Sequence, residues 1–274
     1  MTSETKGTTL SATTAGRPFT GAVPILATLL STACVGSETG NAQVYIPEQQ
    51  PVVVEMTLSE LLGGTESLVA AGRDGEELEV TSAVAQVATL EFFLTEGQSC
   101  TSSMDGDDTV ASFAHPWCKS GDRLRIDGQW SVDLLTGRFA PPLEGLELPE
   151  VSIEAVKVHM KPVDGLSAFA FAGSYELDGN VITYAFELNG AVPAGFRLEP
   201  PLQVTDELWG IGLQLGFERW FEGLDLKPCL ESGSRRNSGA HLQLDAATNG
   251  KCNKIANAVR AALVSGAKAN AKKK

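Results

Sequence analysis

The chain has 274 residues, 43% of them hydrophobic and 20% charged, which is enough apolar material to bury a core and excludes disorder throughout. Its 34 acidic residues against 21 Lys and Arg give a formal charge of −13, which repels phosphate backbones and argues against a nucleic-acid partner. No stretch approaches the roughly 20 consecutive apolar residues of a membrane-spanning helix, so a polytopic membrane protein is excluded.

The first 33 residues are arranged like a secretory signal peptide. Lys6 and Arg17 are the cations of a stretch rich in Thr, Ser, Ala and Gly, a short apolar run follows at 21–30, and small residues close it at 31–33. This combination is typical of an exported protein. The length of the stretch before the apolar run, and Glu4 within it, leave open a different start codon.

Cys34 stands where bacterial lipoprotein signals place the cysteine that is acylated. Leu30 lies four residues before it, whereas the usual motif prefers Leu three residues before. We expect lipidation at Cys34 and attachment to a membrane through the lipid. Cleavage after Ala33 by ordinary signal peptidase, which would leave a soluble chain with a free thiol, stays open as the alternative.

Residues 34–50 are rich in Gly, Ser, Thr, Asn and Gln and hold few large apolar groups. This composition predicts a flexible tether with a typical reach of roughly 20 to 25 Å. Such a tether would lift a folded domain off a lipid surface.

Residues 51–266 are predicted to form one β-rich domain. In 151–162, for example, Val156, Val158 and Met160 share one face while Lys157 and His159 point the other way, as in a half-buried strand. The predicted strands are 52–54, 83–95, 124–135, 151–162, 168–177, 181–188, 196–204 and 208–217. Asp-Gly-Asn at 178–180 predicts a hairpin between two of them. Many short strands separated by turn residues favour an antiparallel β-sandwich.

The end of the chain changes from a strand-like to a helical pattern. Ile255, Val259, Ala262 and Leu263 recur at helical spacing, which predicts a helix over 253–265 that ends at Gly266. The lysine-rich residues 267–274 are predicted to be a solvated basic tail. Contact of this tail with an anionic envelope surface is the weaker alternative.

Apart from Cys34, four cysteines remain, and they form two pairs that are close in sequence. An even number in an exported chain indicates two disulfides. Three pairings are possible, and we favour the local one, Cys100 with Cys118 and Cys229 with Cys252. A zinc site is disfavoured because neither C-x-x-C nor histidine at ligand spacing occurs.

Motifs for the common enzyme classes are missing from the sequence. There is no G-x-S-x-G, no H-E-x-x-H and no phosphate-binding glycine loop. The three histidines, His115, His159 and His241, are each expected to have no catalytic role. No cofactor is indicated.

Two sets of residues are weak candidates for binding sites. Asp105, Asp107 and Asp108 invite a calcium interpretation, but the EF-hand pattern fails because Val110 and Pro116 stand where Gly and Glu are needed. A solvated turn is the simpler interpretation of these residues. Trp117, in a loop, is a weak candidate for stacking on a sugar ring.

Several segments resemble a family of uncharacterised secreted lipoproteins of Gram-negative bacteria. The family pattern is a strand, a cysteine-bearing loop, a D-L-L-x-G turn, a strand opening with L-P, and a hairpin before W-F-x-G-x-D-L. The matching segments are 80–81, 87–94, Cys100, 126–137, 146–149 and 220–226, and the helix after 245–249 is also similar. The chain departs from the pattern at Glu150-Val151-Ser152, where members usually have a glycine turn and an aromatic residue.

The resemblance implies an immunoglobulin- or transthyretin-like β-sandwich anchored on the envelope, with no established activity or cofactor. We therefore expect a lipid-anchored protein of the outer membrane or cell surface, with a soluble periplasmic or secreted form as the alternative. The leading function is non-enzymatic binding of an envelope polysaccharide or protein, or a structural role. An envelope hydrolase or metal-dependent enzyme with an unrecognised site is the second possibility.

Overall fold

More than half of the residues that the computed structural model describes between Gln49 and Lys273 lie in strands of a single β-sheet. The structure describes residues 49–59, 67–100, 116–143, 146–234, 241–244, 250–265 and 267–273. Within them, the strands are β1 (Gln49–Thr57), β2 (Leu68–Ala71), β3 (Glu77–Leu94), β4 (Trp117–Cys118), β5 (Arg123–Asp133), β6 (Arg138–Ala140), β7 (Leu146–Pro149), β8 (Ser152–Met160), β9 (Phe169–Leu177), β10 (Asn180–Leu188), β11 (Val192–Gln203), β12 (Leu208–Gln214), β13 (His241–Gln243) and β14 (Ala267–Lys273). The helices are α1 (Lys227–Ser234) and α2 (Asn253–Ser265).

The sheet has mixed orientation. Its main path runs β13-β10-β9-β3-β8-β11-β14-β12-β1-β7, and β2, β4, β5 and β6 attach beside β3 and β5. Most described pairs are antiparallel, but β1 with β12, β10 with β13 and β11 with β14 are parallel. A mainly β chain with a C-terminal helix is thus confirmed. The sheet is not purely antiparallel, because these three pairs join strands separated by long connections rather than by hairpin turns.

The 18-residue strand β3 organises the sheet. One edge pairs with β2 and β5, while the other pairs first with β9 and then with β8. The change of partner falls at Gln86, whose amide donates to Ala168 and whose carbonyl accepts from Lys161, each at 2.9 Å. Near the other end of the path, the amide of Leu58, the residue after β1, donates to the Leu134 carbonyl at 2.7 Å. A hydrogen bond therefore links the end of β1 to the turn that follows β5.

The core collects the alternate residues of these strands. Leu90 and Phe92 of β3 and Val156 and Val158 of β8 are almost completely buried on one face. An aromatic cluster around Phe171 extends the core, with ring contacts to Tyr184, Phe186, Phe217 and Trp220. One side of α2 is buried, through Ile255, Ala256, Val259 and Leu263. Burial of this apolar area is the main stabilising contribution to the fold.

Three local predictions are confirmed. Leu177 pairs with Asn180, so Asp178 and Gly179 form the hairpin turn, with φ of 52° and 74°. The helix α2 covers the predicted range 253–265. Disulfides join Cys100 to Cys118 and Cys229 to Cys252.

The predicted basic tail is wrong. Residues 267–273 form β14, which lies inside the sheet between β11 and β12. Ala267 and Ala269 are buried, and the ammonium of Lys272 pairs with Glu55 and lies over the ring of Trp209. The physical reason is the alternation of alanine with Lys and Asn, a period of two that suits a strand.

The N-terminal boundary also differs from the prediction. β1 begins at Gln49, and Gln49 and Gln50 pair with Pro149 and Leu148 of β7. The last two residues of the predicted tether therefore belong to the sheet. Within the described ranges, the longest helices fall short of the length and apolar character needed to cross a bilayer.

Candidate ligand-binding site

The face of the sheet opposite the core carries a set of charged side chains, here called the charged face. Residues directly opposite one another in paired strands project from the same face. Three such rows cross the sheet from β4 or β5 toward β11 and β14. They are Trp117, Arg125, Glu91, Lys157 and Gly195; Asp127, Thr89, His159 and Pro193; and Arg123, Phe93, Ala155, Arg197 and Lys268.

Glu91 is at the centre of the charged face, and its side chain is only 3% exposed. Lys119 Nζ donates to Oε1 at 2.5 Å, and His159 Nε2 lies 3.0 Å from Oε2. The nearest guanidinium nitrogen of Arg125 is 3.6 Å from Oε1. Burial alone would raise the pKa of Glu91, but the hydrogen bonds and charges of Lys119 and His159 outweigh it and lower the pKa to about 2.

Asp127 forms a second anionic anchor beside Glu91. Arg125 donates to both of its carboxylate oxygens, and Thr89 Oγ1 donates to Oδ1 at 2.7 Å. Burial opposes ionisation of Asp127, yet the hydrogen bonds from Arg125 and Thr89 lower its pKa. Trp117 lies at the end of the row with its ring centre 5.5 Å from the Arg125 guanidinium carbon. Arg125 is therefore in contact with Glu91, Asp127 and Trp117.

Glu91 is suited to positioning its charged neighbours rather than to donating a proton. Both oxygens of Glu91 have partners, and a carboxyl group with a pKa of about 2 carries no proton at neutral pH. A general acid must carry a proton at the working pH. Glu91 therefore fixes Lys119, Arg125 and His159 in place.

An open groove of about 920 Å³ begins beside this cluster. It follows the strands β8, β11 and β14, and the lining includes Phe93, Ala155, Lys157, Gly195, Arg197 and Lys268. Its position follows from the sheet, because β11 and β14 pair at only two positions, Phe196 with Ala267 and Arg197 with Lys268. The volume is in the range of small-ligand sites.

The charges in the groove are not neutralised internally. Within the described part of the chain, Lys157, Arg197 and Lys268 form no ion pair, and neither do the lining residues Glu154 and Glu199. Three cations against two carboxylates make this groove positive in a chain with a net charge of −13. The arrangement favours an anionic ligand.

A group of acidic side chains lies elsewhere on the molecule. Carboxylate oxygens of Asp74, Glu76 and Asp225 lie within 4.8 Å of one another. Arg73 reaches Asp74 at 3.3 Å and Asp225 at 4.0 Å, so the chain itself supplies a cation there.

The structure describes only some of the candidate residues that were singled out from the sequence. Cys34, His115 and the residues Asp105, Asp107 and Asp108 lie outside the described residues. Trp117 lies on the charged face, where it is 36% exposed and packs beside Arg125. His159, expected to have no special role, contacts Glu91, and the backbone of His241 lies in β13.

Sequence reasoning missed the residues that form the site. Glu91 had a signal, since it is an isolated carboxylate within the apolar segment 90–94. The alternation in 151–162 predicts that Lys157 lies on the polar face of its strand, but it gives no sign of a binding role. Arg197 and Lys268 had no such signal, because their proximity depends on the pairing of β11 with β14.

Comparison with known proteins finds no matching family, no matching curated protein and no matching solved structure.

Proposed function

We propose that this chain is an exported, lipid-anchored envelope protein that binds its ligand non-enzymatically in the groove of the charged face. The observation that carries the binding role is the groove itself, with three cationic side chains that have no ion-pair partner in the described structure. A groove in which three cations outnumber two carboxylates, on a protein of net charge −13, is suited to an anionic partner.

Export is supported by the sequence and by the cysteine pairs. The first 33 residues have the arrangement of a signal peptide, and Cys34 is placed for acylation. The two disulfides fit an oxidising compartment. The same proposal includes attachment at the outer membrane or cell surface, membership of the secreted lipoprotein family and a sandwich of immunoglobulin or transthyretin type. These parts rest on the resemblance of the segments 80–81, 87–94, Cys100, 126–137, 146–149 and 220–226.

The anchor is tested by the intact mass of the mature protein purified from membranes. The proposal expects a chain that begins at Cys34 and carries acyl groups. A chain that begins at Cys34 without acyl groups, or one that retains Met1, contradicts the lipid anchor.

The binding role is tested by titration calorimetry of the full chain with small anionic probes. The panel contains trigalacturonate, triglutamate and inorganic phosphate, and the variant is Ala155→Phe, which adds a bulky side chain to the groove on the side away from the core. We expect at least one probe to bind and Ala155→Phe to weaken that binding at least tenfold. Failure of all three probes, or equal binding to both proteins, contradicts the groove as the binding site.

A further inference from the structure

We propose that the ligand of the groove is an acidic oligosaccharide, a chain of sugar rings with carboxylates spaced along it. This inference rests on the proposed function, and it adds the chemical class of the ligand. It is carried by the placement of the cations on three strands, the mixed polarity of the lining and the apolar surface of Ala155 and Pro193.

The three cations form a close pair and a third, separate charge. Arg197 of β11 lies directly opposite Lys268 of β14, and Lys157 of β8 lies opposite Gly195, two residues from Arg197. Directly opposed residues have Cβ atoms about 5 Å apart and diagonal ones are about 7 to 8 Å apart. A ligand with one compact anionic group would engage only the pair, whereas a second carboxylate along the ligand would reach Lys157.

The lining also contains carboxylates, which would repel a polymer of closely spaced negative charges. Glu154 and Glu199 lie among the cations, and Asn270 contributes an amide whose nitrogen donates to Gln214 at 2.6 Å. Free carboxylates accept hydrogen bonds from hydroxyl groups but repel closely spaced negative charges. This combination suits a ligand in which neutral hydroxyl-bearing segments separate the charged groups.

The lining also offers apolar surface through Ala155 and Pro193. Gly195 and Phe93 are covered, since the carbonyl oxygen of Val264 lies against Gly195 and Arg123 lies over the Phe93 ring, 4.9 Å from its centre. Sugar rings carry C–H groups on their faces, and those groups pack on apolar surface.

The test compares four soluble probes by titration calorimetry with the full-length protein at low salt. Trigalacturonate is the acidic oligosaccharide, its methyl ester lacks the charges, neutral galactotriose lacks the carboxylates, and triglutamate keeps the charges on a peptide. We expect trigalacturonate to bind at least tenfold more tightly than each of the other three. Lys157→Ala and Arg197→Ala should each weaken that binding about fivefold to tenfold, as expected for loss of a charge-assisted hydrogen bond.

Matched controls separate the groove from general charge effects. Lys254→Ala removes an exposed lysine at the start of α2, about 15 Å along the helix from the groove residue Val264. Arg138→Ala removes an exposed arginine of β6. Neither control should change the affinity for trigalacturonate, and urea unfolding should show that all four variants are folded.

The outcomes distinguish this inference from the proposed function. Tight binding of triglutamate with weak binding of trigalacturonate overturns the saccharide and leaves a binding module for acidic peptides. Equal binding of the acid and its methyl ester overturns the role of the spaced carboxylates. Absence of binding by every anionic probe overturns both proposals.

Discussion

At the scale of single residues, Glu91 shows how a buried charge can be retained in a sheet. Its neighbours in sequence, Leu90 and Phe92, point into the core, while its own side chain is enclosed on the opposite face by Lys119 and His159. An ionised carboxylate in such a position is tolerated only when its oxygens are satisfied. The loss of this one charge therefore leaves several cationic neighbours without their common partner.

We predict that Glu91→Gln lowers the free energy of unfolding by about 3 kcal/mol at neutral pH, measured by urea denaturation. The pKa of Glu91 in the folded protein is about 2, below its ordinary value of 4.5. A depressed pKa contributes stability that is complete above the unfolded value and is lost as the pH falls. The difference between wild type and variant should therefore shrink between about pH 4.5 and pH 2.

Glu96→Gln serves as the control for this prediction. Glu96 is an exposed carboxylate in the turn after β3, and it forms no ion pair among the described residues. An exposed surface charge contributes little, so this variant should have the stability of the wild type. A gap between wild type and Glu91→Gln that stays constant down to pH 2 would show that Glu91 is not held as an ion.

A second residue-scale prediction concerns Gly173, where β9 approaches β3 closely. A Cβ atom placed on Gly173 would lie 1.7 Å from the carbonyl oxygen of Glu79, which also accepts a hydrogen bond from Tyr184. We expect Gly173→Ala to destabilise the protein by about 3 kcal/mol or more, because the backbone of the adjacent strand must move. Thermal unfolding measures the effect. Gly190→Ala meets no atom within 4 Å and should change stability by less than about 1 kcal/mol.

At the scale of elements, β14 decides how the sheet is assembled. Its backbone pairs with β12 over most of its length and with β11 at two positions. It thereby joins the charged face to the strands β12 and β1, and it supplies Lys268 to the groove. An element interpreted as a solvated tail is thus an internal strand.

We predict that Ala269→Glu disrupts the fold whereas Ala271→Glu does not. Ala269 is 6% exposed and Ala271 is exposed, so the same substitution two positions apart buries a charge in only one case. The first variant should lose about 3 kcal/mol or more of stability, and the second should stay within about 0.5 kcal/mol. Guanidinium denaturation of both proteins provides the measurement. Similar stability of the two variants would contradict the internal placement of β14.

The elements that the sequence predicts well are those set by local patterns. The α2 helix follows from apolar residues at helical spacing, and the β9–β10 hairpin follows from the Asp-Gly turn. The pairing of β11 with β14 and of β1 with β12 depends on residues far apart in the chain, which no local pattern encodes. The candidate site depends on the same long-range pairings. The sequence therefore gives signals for single residues of the site, such as Lys157 and Glu91, but not for their arrangement.

At the scale of the whole molecule, the two disulfides close loops of similar length but lie in different surroundings. The paired cysteines are 18 and 23 residues apart in sequence. Cys118 lies between Trp117 and Lys119, so the first disulfide holds two residues of the charged face. Cys229 and Cys252 join α1 to the turn that precedes α2.

We predict that removing either disulfide by double serine substitution lowers stability by about 3 kcal/mol, measured by urea unfolding. The two variants should differ in their response to acid. Loss of Cys100–Cys118 frees Lys119 and weakens the contribution of Glu91 between about pH 4.5 and pH 2, whereas loss of Cys229–Cys252 leaves that contribution unchanged. Identical acid profiles would show that the first disulfide does not position Lys119.

The internal place of β14 also constrains when the protein can fold during its synthesis. β1, near residue 50, pairs with β12, and the other edge of β12 is filled by residues 268–273. The sheet therefore cannot be completed until residues 268–273 have been synthesised, long after β1. In the exported protein proposed here, this order of synthesis leaves the sheet incomplete, and the chain extended, for longer before it crosses a membrane.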